Sequence, residues 1–395
     1  MKDLAVEAAR GRMLAEAGPV ETETVGLDAA RGRTLAEAVT ASRDQPPFDA
    51  SAMDGWAVRG PGTELAIVGE SAAGKAYPRP LAPGQAVRIF TGAPVPEAAE
   101  RVVIQEEATR DGERVRVPAD PGGNRFIRPR GGDFHAGQVL LQPGARLDAW
   151  RIGLAAAAGR AALAVARRPE VVVLSTGEEL VAAGTTAGPD QIFDSGGPSL
   201  SALIESWGGT PRRLASAGDD IGAIAGAVEK AGGRLIVTIG GASVGDHDLV
   251  KPALARLGLE LMVETVRVRP GKPTWFGRLG DGRLVLGLPG NPASALVCAE
   301  LFLRPLLMTM QGADPALKMA SAHLASALPA NGPREHWMRA RLTREQGRLV
   351  AGPMSDQDSS LVSVFAESGG LIRRAVNAPA AEAGGLVDVL PLERL

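Results

Sequence analysis

Three turns rich in glycine or proline carry residues whose types and spacing could do chemistry. Ser175-Thr176-Gly177-Glu178-Glu179-Leu180 sets two carboxylates directly after small residues that let the backbone come close to a ligand. Acidic residues at a helix start are stabilised by the macrodipole, which accounts for Glu178 and leaves Glu179 as the functional candidate. In Gly240-Gly241-Ala242-Ser243-Val244-Gly245-Asp246-His247-Asp248, the segment from the glycines through Ser243 to Gly245 can form a nest of N–H donors for a phosphate. Asp248 adds a carboxylate able to hold Mg2+ beside that phosphate, while His247 reads as an exposed loop histidine. Leu288-Pro289-Gly290-Asn291-Pro292 is a rigid turn opening a helix, and a plain helix start explains one of Pro289 and Pro292 but not both. A fourth segment, Arg267-Val268-Arg269-Pro270-Gly271-Lys272-Pro273, alternates cations before a stiff turn. It suits a compact oxyanion, with a surface hairpin as the plain alternative. The lone cysteine, Cys298, lies in an apolar run and reads as a buried, inert thiol.

Such turns need a scaffold. From Glu170 onward the continuous apolar runs Val171–Leu174, Leu235–Ile239 and Leu284–Leu288 are separated by helical patterns at Leu200–Trp207 and Ile221–Ala231. That alternation implies a parallel sheet covered on both faces, with each turn beyond the carboxyl end of a strand, where ligands gather. A helix follows from about Pro292 to Met310. Between Pro46 and Gly137 short apolar runs alternate with Gly/Pro turns, the mark of an inserted β-rich domain. Helical spacing at Leu4, Ala5, Ala8, Ala9 and Leu14, and again at Ile152–Ala158, predicts a helical base whose two helices pack together. After Pro315 short β-like runs predict a C-terminal β-barrel or open sheet. The expected organisation is a multidomain α/β plus β chain: a discontinuous helical base (1–45 and 138–168), an inserted β-rich domain (46–137), a central three-layer α/β domain with a parallel-type sheet (169–314) and a barrel-like C-terminal β domain (315–395).

Bulk properties narrow the function classes. A chain of 395 residues is too long for one core. With 43 Lys+Arg against 45 Asp+Glu the net charge is −2, so there is no basic field for a nucleic acid backbone and any anion must be bound locally. No signal-peptide core and no 18-residue apolar span is visible, so the expectation is a cytoplasmic protein with neither nucleic acid nor membrane as partner.

Taken together, the four motifs occur in the order and spacing of the molybdopterin-binding domain of the MoeA (gephyrin E-domain) family, which the chain resembles. Phe48-Asp49-Ala50-Ser51-Ala52-Met53-Asp54-Gly55-Trp56-Ala57-Val58, Ile89-Phe90-Thr91-Gly92-Ala93-Pro94-Val95-Pro96 and Arg130-Gly131-Gly132-Asp133-Phe134-His135-Ala136-Gly137 are similar to further signatures of that family, so the resemblance spans nearly the whole chain. It implies a molybdopterin molybdenumtransferase, a Mg2+-dependent transferase that inserts molybdate into adenylylated molybdopterin with release of AMP in the last step of molybdenum cofactor biosynthesis. Carried over by position, it implies that Glu179, Asp219 or Asp220, and Asp248 lie in the nucleotide and metal pocket, with Glu179 and Asp248 holding Mg2+. Ser243, Gly245, Pro289 and Pro292 would bind substrate. Asp54, Thr91 and Asp133 would reach the pocket from the partner subunit of a homodimer. Arg269, Lys272, Arg339 and Ser359 match positions tied to molybdate binding or catalysis, Ser360 being an adjacent alternative to Ser359. Two departures stand out in Ile192-Phe193-Asp194-Ser195-Gly196: Phe193 replaces a tyrosine, and Gly196 replaces an asparagine whose amide is lost. Rival readings are a tungstate enzyme, a scaffold for a receptor peptide, and an adenylylating relative, against which the flanking domains argue.

Overall fold

Along the strand Glu170–Ser175 successive side chains alternate between two cores: Val171 and Val173 enter one, Val172 and Leu174 the other. The same alternation divides Leu235 and Val237 from Ile236, and Leu284 and Leu286 from Val285. A strand buried on both faces must be apolar at every position, which is why these segments read as continuous apolar runs. In the computed structural model, which describes residues 1–119, 123–214, 220–241 and 249–392, they lie in a six-stranded sheet. Its order is Thr210–Arg213, Glu170–Ser175, Leu235–Ile239, Leu284–Leu288, Trp275–Arg278, Glu260–Val263. The first four strands are parallel. The last two pairings are antiparallel: Trp275–Arg278 is joined to Leu284–Leu288 by a hairpin too short for a crossover helix, and Glu260–Val263 pairs antiparallel with Trp275–Arg278 in turn. Helices Ile221–Lys230 and Val250–Ala255 cover one face; Gly196–Ser206 and the long helix Pro292–Met310 cover the other. That long helix is the one described segment apolar enough to cross a membrane, but it is 89% buried inside the protein and serves as its core.

The helices flanking the inserted region do not share a core, contrary to the pairing expected from their spacing. Val6, Ala9 and Met13 of the opening helix Val6–Glu16 join the α/β core, whereas Ala155 and Ala158 pack with Leu35, Val39, Leu141 and Leu163. Helical spacing shows that a helix has an apolar face but not which surface covers it. Around this separate core, antiparallel pairing of Thr22–Gly26 with Ala162–Ala166, and of Val39–Thr40 with Val139–Leu141, joins the two separated segments. The inserted region forms a six-stranded sheet of its own.

The C-terminal strands close on themselves. Glu335–Glu345 pairs with Arg348–Pro353 on one side and Gly370–Arg374 on the other, and the ring is completed through Ala320–Leu324 and Leu386–Pro391. A two-residue strand from the preceding domain, Val268–Arg269, adds to this barrel in parallel with Glu335–His336.

Close packing between the last parallel strand and its hairpin partner is testable. A methyl group at Gly287 would lie 2.0 Å from the indole of its cross-strand partner Trp275. Gly287→Ala is therefore expected to destabilise the protein by about 1–3 kcal/mol. Gly153→Ala, in the middle of Ala149–Ala157 with nothing within 4 Å, should instead stabilise by about 0.5–1 kcal/mol. Urea unfolding midpoints moving in the same direction for both variants would refute this picture.

Candidate active site

The chain passes from Glu170–Ser175 to Thr210–Arg213 on one side, then crosses back to Leu235–Ile239 on the other. A crevice opens outside the carboxyl ends of an open sheet where strand order reverses in this way. A cleft of about 560 Å³ lies there, lined by Thr176, Gly177 and Glu179 from the first strand's turn, Gly240 and Gly241 from the next, and Gly290, Asn291 and Pro292 from the third. Small residues are needed for the turns to meet. A Cβ at Gly240, whose φ is +90°, would lie 2.7 Å from the Thr176 carbonyl oxygen, and one at Gly290 would lie 3.5 Å from Gly240 Cα. Pro289 is buried just behind this rim.

The Glu179 carboxylate folds back over Gly177, its oxygens 2.5 and 2.7 Å from where a Cβ of Gly177 would sit. Glu178 does not start a helix. After the Gly177 turn the chain runs into the short strand Leu180–Val181, which pairs in parallel with Ile192–Phe193, so the macrodipole account of Glu178 is replaced by a turn-and-strand geometry. Of the aspartate pair Asp219/Asp220, Asp220 caps the helix Ile221–Lys230 by accepting from Ala223 N at 2.6 Å. Asp219, Ser243, Gly245 and Asp248 lie outside the described residues.

Asp194 was not singled out as a functional residue in the sequence, yet it lines the cleft. Its carboxylate accepts from Gly197 N at 2.9 Å and Ser175 Oγ at 3.2 Å, and pairs with Arg213 at 3.3 Å. The signal available was its place in the Ile192–Gly196 motif. Gly196, the first residue of its helix, is buried, and a Cβ there would lie 3.0 Å and 3.3 Å from two Ile239 side-chain carbons. The glycine thus lets Ile239 stand at the cleft wall, where an asparagine would press against it.

A second group of residues lies where the barrel meets the α/β core. Met338, Ala340 and Leu342 fill the barrel while Trp337 joins the α/β core, so by the two-residue period Arg339 shares Trp337's face. Arg339 is fully buried. Its Nη1 donates to the Asp358 carbonyl at 2.9 Å, but Nε and Nη2 have no partner among the described residues. Burial pulls its pKa below the usual arginine range, against Asp356 and Asp358, which raise it. His336 pairs in register with Arg269. Its pKa is pushed down to about 4, first by burial and then by the positive charges of Arg269, Arg339, Arg334 and Arg374. Arg269 and Lys272 themselves are exposed on the turn. The segment is therefore an anion-seeking surface: several guanidinium groups, one of them buried with free donors, around a histidine that stays neutral.

The two groups are joined through Ser359. Its Oγ accepts from Asn291 Nδ2 at 2.7 Å and its carbonyl from Ala293 N at 3.1 Å, clamping the Asn291–Pro292 turn. Neighbouring Ser360 lines the cleft and donates both its N–H and its hydroxyl to Asp358, which holds that carboxyl below its usual range. In the inserted domain, Asp54 Oδ1 accepts from both Thr91 N (2.7 Å) and Thr91 Oγ1 (2.8 Å), and the Thr91 N–H is the main cause of its lowered pKa. Asp133 is exposed on a loop tied down by its own N–H to the Gln45 carbonyl. None of these three lines the cleft of its own chain.

The family models of three regions align along the chain in the same order as these elements: the MoeA N-terminal region (domain I and II) at residues 4–159, the probable molybdopterin binding domain at 172–309, and the MoeA C-terminal region (domain IV) at 321–392. The chain belongs to the molybdopterin molybdenumtransferase family. It is 36% identical over 335 residues to the molybdopterin molybdenumtransferase of Nostoc sp., covering 80% of this chain and 76% of the relative. Its identity with the Bacillus subtilis molybdopterin molybdenumtransferase is 32% over 388 residues, covering 94% of this chain and 90% of the relative. Among solved structures, the molybdopterin biosynthesis MoeA protein from Pyrococcus horikosii superposes with a TM-score of 0.82 at 29% identity, covering 99% of each chain. The cleft thus lies mainly in the region matched by the molybdopterin binding domain, and Arg339 and Ser359 in the region matched by the C-terminal domain.

The neutral histidine makes a pH prediction. With a folded pKa of about 4 against 6.5 for the free side chain, His336 binds its proton more readily when the chain is unfolded. Its contribution is fully present above pH 6.5 and is lost as pH falls from there towards 4, amounting to about 3 kcal/mol in all. Urea unfolding between those pH values should show this slope, and His336→Gln should flatten it; equal slopes in the two proteins would refute the assignment.

Proposed function

We propose that this protein inserts molybdate into adenylylated molybdopterin with release of AMP, as a Mg2+-dependent cytoplasmic homodimer. The observation that carries the reading is the buried Arg339, whose Nε and Nη2 have no partner among the described residues and which lies on the strand that pairs with Val268–Arg269. Leaving a buried donor unsatisfied costs roughly 1–3 kcal/mol, more for a charged group, so such an arrangement favours an anion that accepts from it. Arg269, Lys272 and Arg339 would offset the charge of molybdate, an electrostatic and positioning role. The turn from Ser243 to Gly245 would cradle the adenylyl phosphate. Pro289, Pro292 and Ser359 would keep the third turn rigid against the substrate.

The residues present suit a hard cation. Glu179 bears a carboxylate at the cleft that takes no hydrogen bond from a described residue, and Asp248 would be its partner ligand. Bound there, Mg2+ would neutralise phosphate charge. Among the described residues no group of three or more His, Cys, Asp or Glu could hold a metal, so the remaining ligands would come from substrate and water, as is usual for this ion. Support for the homodimer comes from the inserted domain, where Asp54, Thr91 and Asp133 do not line the cleft of their own chain, and where Thr91 orients Asp54 through Oδ1 and leaves Oδ2 free of described donors.

The test is to incubate the purified protein with adenylylated molybdopterin, Mg2+ and molybdate, following AMP release and the ability of the product to activate an apo-molybdoenzyme. Molybdate-dependent AMP release with active cofactor is expected; binding without release would favour a scaffold. Lys272→Ala and Arg339→Met should each lower the rate by about 100-fold. Mixed dimers of Asp54→Asn and Lys272→Ala chains should regain about a quarter of the activity, since half of randomly paired dimers would hold one intact site. No recovery on mixing would place each site within one chain.

A further inference from the structure

Cys298 takes no part in the chemistry proposed above. It is fully buried, and burial raises its pKa to about 12, so it remains a thiol. Its position is nevertheless specific. A Cβ added at Gly271, whose φ is +110°, would lie 2.1 Å from Cys298 Sγ, so the turn between Arg269 and Lys272 rests directly on the sulfur. Thr274 Oγ1 donates to the Gly271 carbonyl at 2.8 Å and lies 3.1 Å from the same sulfur. The carbonyls of Pro270 and Gly271 are each 3.9 Å from it. Beyond the turn, Val266 N donates to the Lys272 carbonyl at 3.0 Å.

The helix that carries this thiol also forms the cleft wall. Pro292 lines the cleft and opens the helix; Cys298 closes its first segment six residues later, about 9 Å along the axis. One rigid element thus supports the cleft at one end and the cation turn at the other.

We propose that Cys298 is a positioning residue, the seat on which the Arg269–Lys272 turn rests, and that its size sets where those cations stand relative to the cleft. Bulk at position 298 lifts the turn through Gly271. Loss of the Thr274 hydroxyl frees the Gly271 carbonyl and loosens it. The inference rests on the reading of Arg269 and Lys272 as the oxyanion-binding cations.

The test uses full-length Cys298→Val, Cys298→Ala and Thr274→Val proteins, with Lys272→Ala as a reference. Three quantities are measured on each: the molybdate KM for AMP release, the affinity for AMP by calorimetric titration, and the thermal midpoint. Cys298→Val is expected to raise the molybdate KM about tenfold, and Thr274→Val about threefold, with AMP affinity held within about twofold. Cys298→Ala, which shrinks the seat without pushing on Gly271, should fall between wild type and Cys298→Val. If Cys298→Val does not fold, Thr274→Val and Cys298→Ala carry the test. The proposal is overturned if every folded variant keeps its molybdate KM while Lys272→Ala raises it, or if AMP affinity falls in step with molybdate KM. Should Lys272→Ala itself leave the molybdate KM unchanged, the functional reading fails instead.

Discussion

Two backbone pairings, Val268 with Glu335 and Arg269 with His336, govern the relation between the barrel and the α/β domain. They make a strand of one domain an edge strand of the other, so the cations of the Arg269–Lys272 turn cannot drift relative to Arg339 without breaking ladder hydrogen bonds. The turn is also held from below by the helix that walls the cleft. The spacing between the cleft and the cation turn is therefore set by a strand and a helix rather than by a loop.

The cost of that arrangement is concentrated at the same place. A fully buried arginine with two nitrogens unpartnered among the described residues opposes folding, and so would a proton on the histidine set among four arginines. The surrounding structure over-determines them: Trp337 on the same strand is sealed into the large α/β core, and Gln357 bonds both the N–H and the carbonyl of Arg339. Local conflict held in place by a well-packed frame is the pattern expected where binding, rather than stability, has shaped the residues.

The cleft-lining turns of the α/β domain were readable because their glycines and prolines are demanded by local geometry. The apolar runs were readable because a strand covered on both faces has no polar position to spare. In contrast, the sequence offered no means of assigning the opening helix to the α/β core, since an apolar stripe on a helix does not name its partner. Nor did it distinguish Ser359 from Ser360, whose different roles depend on which way each hydroxyl turns toward Asn291 or Asp358.

By itself, then, the amino-acid order determined the family and the strand-helix alternation and singled out the turns proposed for phosphate and oxyanion, all of which depend on short-range spacing and backbone conformation. Tertiary structure alone decided that Asp194 stands in the cleft, that Gly196 makes room for Ile239, and that Arg339 is buried with two nitrogens unpartnered among the described residues. These facts depend on distances between segments tens to hundreds of residues apart, and on desolvation, which no residue carries until the other domains have packed around it.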